Sequence, residues 1–131
     1  MFEEILNLNT NFNTIVRKIS KKHHITLSQA LILFNIPMNG TSMSKLAFSL
    51  GLDPSTITRN IEKLEKRNLL YREKSTLDTR VINVYKSNEG SKIIHDVEKT
   101  VNSILIQSSQ NTSELKDEIQ ILNWNIEKEQ I

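Results

Sequence analysis

Apolar residues near the start of the chain recur in steps of three and four. Ile5, Leu8, Phe12, Ile15 and Ile19 would line one side of a helix from about Phe2 to Lys22. That spacing is the seam of a helix packed on another helix. Thr26-Leu-Ser-Gln29 is a capping box, in which the Thr hydroxyl and the Gln amide satisfy the first free amides of a second helix. Leu27, Ala30, Leu31 and Phe34 form the expected buried face of that helix, Pro37 ends it, and Asn39-Gly40 is a turn signal. Ser42 then caps a third helix with Met43, Leu46, Ala47 and Leu50 on one face, and Gly51 is placed to end it in a left-handed conformation.

Only Leu52 separates Gly51 from Asp53, a good N-cap, and Pro54 suits the first position of a fourth helix. Two short helices joined this tightly form a helix-turn-helix, whose second helix is the one expected in a major groove. Ile57, Ile61 and Leu64 make its apolar seam. At about 100° per residue, Ser55, Arg59, Lys63 and Lys66 fall opposite that seam, with Thr56 and Thr58 on its flanks. Hydroxyls and an arginine near the N-terminus suit base edges, and lysines further along suit phosphate. Glu62 stands three residues from Arg59, the spacing of a surface ion pair.

The period changes after Asn68, a residue that accepts the left-handed conformation. Leu69–Glu73 and Val81–Tyr85 read as two strands, the second alternating Ile82 and Val84 against Asn83 and Tyr85. Lys74 to Arg80 forms a polar tip with basic ends, and a hairpin after a helix-turn-helix is a wing whose Arg can enter the minor groove. From Ser87 the helical period returns. Ile94, Val97, Val101 and Ile104 mark a helix ending near Gln107, and Leu115, Ile119, Leu122 and Ile126 mark a last one after a polar break.

Charge sharpens this outline. The 131 residues carry a net charge of +2, but residues 40–92 hold ten Lys/Arg against six Asp/Glu, a balance of +4, leaving −2 for the flanks. The excess sits around the fourth helix and the wing, which favours a polyanion partner. With only 3 Gly and 2 Pro, a loop-rich β-sandwich is disfavoured. The absence of Cys excludes disulfides, thiolate metal sites and cysteine redox switching. The longest apolar run, Ala30 to Phe34, is far short of a membrane span, and the acidic start MFEEIL points to cytoplasmic retention rather than export. His23 and His24 adjoin Lys21 and Lys22 but have no ligand partner at helical spacing, and His95 is isolated. No catalytic constellation, metal site or cofactor motif emerges, so an enzyme is not expected.

The stretches TLSQALIL, MSKLAFSLGLDPSTITRNIEKLEKRNLLYRE and DTRVINVYKSNEG resemble the winged helix-turn-helix of the MarR family of transcriptional regulators. The resemblance implies a mainly α fold with a small β-hairpin. Within a single domain of residues 1–131, a winged helix-turn-helix at 26–90 would be flanked by dimerisation helices at 1–22 and 91–131. It further implies a homodimer, most simply a repressor, on a pseudo-palindromic double-stranded DNA operator. Ser42, Ser44, Ser55, Thr56, Thr58, Arg59, Lys63, Lys66, Thr79 and Arg80 are the expected DNA contacts. Asp78 and Arg80 match the family's Asp-x-Arg wing pair, in which the carboxylate orients the guanidinium. Asn68 stands where the family usually has Gly, and Lys86 where it usually has Leu. Small aromatic or phenolic acids are frequent effectors in the family. Two alternatives stay open: a winged helix used for protein–protein contact, and a DNA-binding protein that answers to no effector.

Overall fold

The structure, a computed structural model, describes residues 1–129. Within them the order is α1 (Phe2–Lys21), α2 (Leu27–Phe34), β1 (Thr41–Ser42), α3 (Met43–Leu50), α4 (Pro54–Lys66), β2 (Leu70–Lys74), β3 (Ile82–Lys86), α5 (Asn88–Ser108) and α6 (Thr112–Glu129).

The helix starts follow from local chemistry. Thr26 Oγ1 accepts from the Gln29 amide at 3.1 Å while Gln29 Oε1 accepts from the Thr26 amide at 3.0 Å, completing the capping box. Ser42, Asp53 and Ser87 likewise accept from the amides of Lys45, Thr56 and Gly90. Three helix ends share one lock. At His24, Gly51 and Asn68 the backbone turns left-handed, with φ of 59°, 63° and 58°. The next amide then reaches back five residues, from Ile25 to Ser20, Leu52 to Ala47 and Leu69 to Leu64. Gly51 and Asn68 were expected in this role. His24 is an addition, and it ends α1 against a side-chain penalty that glycine would not carry.

One core joins the lobe. Ile57, Ile61 and Leu64 of α4 are at most 2% exposed and share a cluster with Leu46 of α3, Val84 of β3 and Val97 of α5. The expected face of α2 needs correction: Gln29, Ala30, Ile32 and Leu33 are its buried residues, whereas Leu27, Leu31 and Phe34 are half-buried. Six of the eight residues of this helix are apolar, so periodicity could not choose the side that α1, α4 and α5 cover.

The wing has three strands rather than two, in the order β1-β3-β2 and all antiparallel. Ser42 pairs with Asn83, so the residue that caps α3 also belongs to the sheet. Both long strands begin one residue later than the pattern predicts, and Ile82 is exposed, leaving Val84 as the buried residue of β3. Tyr71 and Tyr85 face each other in register and stack with ring centroids 5.2 Å apart. Under the sheet, Ser87 Oγ donates to the Asn68 carbonyl at 2.6 Å. Gly90 lies so close that an added Cβ would sit 1.9 Å from the Leu69 carbonyl oxygen. Only glycine lets α5 start on that backbone.

The terminal helices are different. Phe2, Ile5 and Leu8 of α1 and Leu105 and Ile106 of α5 are exposed, and α6 buries no residue at all, leaving Trp124 at 65% and Ile121 at 56%.

Asp53 links the fold to pH. Its carboxylate accepts from the Ser55 hydroxyl, the Thr56 amide and the Thr56 hydroxyl, and these bonds pull its pKa from 3.8 down to about 2. Because the folded value lies below the unfolded one, the stabilisation is complete above the unfolded value and fades as pH falls through about 2. Asp53→Asn keeps a capping oxygen without that titration. Acid unfolding followed by helical circular dichroism should show the wild type losing stability relative to the Asn variant between pH 4 and 2. Parallel loss in both proteins would remove this role from Asp53.

Candidate nucleic-acid interface

Helix α4 is buried along its seam and open on the other side. Ser55, Arg59, Lys63 and Lys66 are exposed, and Thr56 and Thr58 are half-buried at its edges. Arg59, Lys63 and Lys66 form no ion pair among the described residues. The Arg59–Glu62 pair that the spacing suggested is therefore absent. Glu65 is the acid that pairs, accepting from Arg72 Nη2 at 2.7 Å, Nε at 3.2 Å and the Arg72 amide at 3.2 Å. This bond to β2 lowers the Glu65 pKa, and both Glu65 and the nearby Glu62 raise that of Arg72. It fixes the end of α4 to the wing.

The hydroxyls on α4 are already engaged. Ser55 and Thr56 donate to the Asp53 carboxylate, and Thr58 donates to the Pro54 carbonyl at 2.7 Å. With their protons directed inward, these groups present lone pairs outward. As they stand they can accept from the amino groups of cytosine or adenine, or lay a threonine methyl on thymine, but they repel phosphate. The side chains free to donate from this face are Arg59, Lys63 and Lys66.

On α3, Ser42 is half-buried with its oxygen capping the helix, whereas Ser44 is exposed beside it. At the wing, Asp78 Oδ1 accepts from the Arg80 amide at 3.0 Å and Nε at 3.1 Å, and Oδ2 accepts from Nη2 at 3.2 Å. Arg80 in turn holds the Asp78 pKa below the usual carboxylate value. Two of the five guanidinium N–H groups are thus used and three remain free to point away from the wing. Thr79 is exposed between them, and Leu77, 97% exposed, forms the apolar crest of the tip. Pairing such exposed groups adds little stability. Its effect is to hold Arg80 in one orientation.

One basic residue near this surface, counted in the excess over residues 40–92, has structural partners instead. Arg67 follows α4 directly, in line with Lys63 and Lys66, yet its Nη1 donates to the His24 carbonyl at 2.6 Å and its Nη2 to that of His23 at 3.1 Å. Nothing in a local pattern distinguishes it from the lysines, because its partners lie 43 and 44 residues away. Those histidines offer backbone rather than imidazole here, and no group of three or more His, Asp or Glu among the described residues could hold a metal.

Comparison with known proteins gives the same outline. A family model described as the MarR family matches residues 25–82. The uncharacterised HTH-type transcriptional regulator YhbI of Bacillus subtilis is 37% identical over 81 residues, 61% of this chain but only 53% of YhbI, so the match spans about half of that relative. The HTH-type transcriptional regulator MgrA of Staphylococcus aureus is 25% identical over 104 residues, covering 76% of this chain and 69% of MgrA. Among solved structures, apo wild-type MarR from E. coli superposes with a TM-score of 0.75 at 18% identity, covering 98% of this chain and 94% of that one. A MepR mutant from S. aureus bound to an oligodeoxyribonucleotide gives 0.68 at 15% identity over 97% of each chain. At such identities these two likenesses speak for the fold alone, with the terminal helices included. Residues 25–82, most of the winged helix-turn-helix lobe, thus match the MarR family of transcriptional regulators, and the whole chain shares the fold of MarR from E. coli.

Proposed function

We propose that the protein is a homodimeric, sequence-specific double-stranded DNA-binding regulator that acts in the cytoplasm, most simply as a repressor. The observation that carries this reading is the unpaired cationic face of α4 beside an oriented wing arginine. Ser55, Thr56, Thr58 and Arg59 would meet base edges, and Lys63 and Lys66 the backbone. Ser44 and Thr79 would flank these contacts, with Ser42 mainly a cap, and Arg80 would enter the minor groove with Asp78 holding it. In a dimer the two α4 helices would address successive major grooves of a pseudo-palindromic operator, roughly 34 Å apart.

The dimer is supported by the bare apolar faces of the terminal helices. Soluble monomers rarely leave so much apolar surface on one set of elements. A second copy of the same faces would cover it.

An effector is supported by a depression of about 370 Å³ between α1 and the start of α2, lined by Arg17, Lys21, Ile25, Thr26, Leu27 and Ser28. Two cations over an apolar wall suit a small aromatic or phenolic acid. A ligand that preferred another spacing of the two lobes would lower operator affinity.

Binding to duplexes selected from a random library should weaken with salt, with a log–log slope near −0.9 for each phosphate contact. Arg59→Ala and Arg80→Ala should each cost about 1–3 kcal/mol of operator affinity. Failure of the wild type to retain any duplex at low salt would leave the protein-contact reading in its place. Sedimentation should give twice the chain mass for the wild type and a single chain mass for Ile119→Glu with Leu122→Glu. A monomeric wild type at micromolar concentration would defeat the dimer. Hydroxybenzoates should raise the thermal midpoint in the wild type but not in Arg17→Gln with Lys21→Gln. No shift with any of them would favour effector-independent binding.

A further inference from the structure

We infer that Arg67 is a positioning residue, a clasp through which the end of α1 sets the stance of the recognition helix α4. The inference rests on the DNA-binding reading above for its functional half, and on geometry alone for the clasp.

The geometry joins two helix ends. Arg67 is the C-cap of α4, and Asn68 behind it is left-handed. The residues it reaches, His23 and His24, follow α1 in the same kind of lock, with His24 left-handed. The guanidinium forks across both carbonyls, at 2.6 Å and 3.1 Å. Both carbonyls belong to the turn that closes α1, so the cation also lies near the negative end of that helix's dipole. A planar fork fixes direction as well as distance, which a lysine ammonium cannot do. His24 also holds a backbone conformation that a β-carbon disfavours, so the turn has reason to be tied from outside.

The placement gives the clasp a consequence. Arg67 follows Lys66 and lies within one turn of Lys63, so a change in its anchor tilts the same helix that presents those cations. On the other side, Lys21 and Ile25, which bracket the two histidines, line the depression between α1 and α2. The turn at His23–His24 is therefore shared by the pocket wall and the recognition helix. A cation following Lys63 and Lys66 could also meet phosphate, and the two roles differ in what salt does to them.

The test compares the full-length wild type with Arg67→Met and Arg67→Lys. Hydrogen exchange on the free proteins should quicken in Arg67→Met both at residues 22–26 and at residues 67–69. On a duplex selected by the wild type, affinity should fall between about twofold and thirtyfold with the salt slope unchanged, and Arg67→Lys should restore only part of it. A slope reduced by about 0.9 in Arg67→Met would make Arg67 a phosphate contact and overturn the inference. So would unchanged affinity, or exchange that quickens at neither end. If the methionine variant fails to fold, the lysine variant carries the same measurements, since it keeps the charge and loses the fork. Should the wild type bind no duplex, the DNA reading falls separately, and unchanged exchange at residues 22–26 would still refute the clasp.

Discussion

Helix α4 leaves one whole side bare, and the rest of the structure answers to that constraint. Thirteen residues make a helix too short to persist alone in water, where even favourable sequences are marginal below about 12–15 residues. Its stability has to come from its inner side and its ends. Full burial of Ile57, Ile61 and Leu64 contributes on the order of 1.5–3 kcal/mol each as an upper bound, against about 1 kcal/mol or less for an exposed ion pair. Burial therefore holds α4, while the polar contacts aim it. Asp53 fixes the start, Glu65 ties the last turn to β2, and Arg67 ties the end to the α1–α2 turn. None of these bonds crosses the outer face.

The same division runs through the charges. Asp53, Glu65 and Asp78 are each satisfied by a nearby amide, hydroxyl or guanidinium, and each has its pKa lowered as a result. Their negative charge is thereby tied to a local donor. Among the described residues, Arg59, Lys63 and Lys66 have no such partner, and they are exposed. The excess of +4 across residues 40–92 is thus uneven in effect, with three of the six acids tied to local donors and the cations on α4 left uncommitted. Arg72, Arg67 and Arg80 are the exceptions among the basic residues: the first two serve to place α4, and the third is held at the wing tip by Asp78.

What the sequence disclosed, and what it hid, follows the range of each interaction. Thr26, Ser42, Asp53 and Ser87 were readable as caps because a cap and its amide lie three residues apart. The seam of α4 was readable because three apolar residues stand among polar ones. Helix α2 was misread because apolar residues fill most of it, and its covered side is chosen by other helices. Strand β1 was invisible: two residues carry no period, and their partners lie about forty positions away. The hydroxyl bonds of Ser55, Thr56 and Thr58 could have been inferred from Asp53 and Pro54 just upstream. Arg67 could not, since only the fold brings it to His23 and His24.

That last contact connects two parts of the chain with opposite surfaces. The lobe around α4 is apolar inside and charged outside, whereas α6 and the first half of α1 carry apolar residues that the chain itself leaves uncovered. In an assembly formed through those helices, the spacing of two recognition helices is decided by how each α1 meets its own lobe. Packing of Val16 and Ile19 into the core fixes the position of α1 but leaves rotation about that contact soft, because apolar burial is non-directional. The hydrogen-bonded fork from Arg67 is directional, and it acts at the point where α1 gives way to the lobe. A change of one or two degrees there, carried along the length of α1, moves the far end of the helix by more than it moves the core. Burial makes the junction strong, and the fork gives it a defined angle.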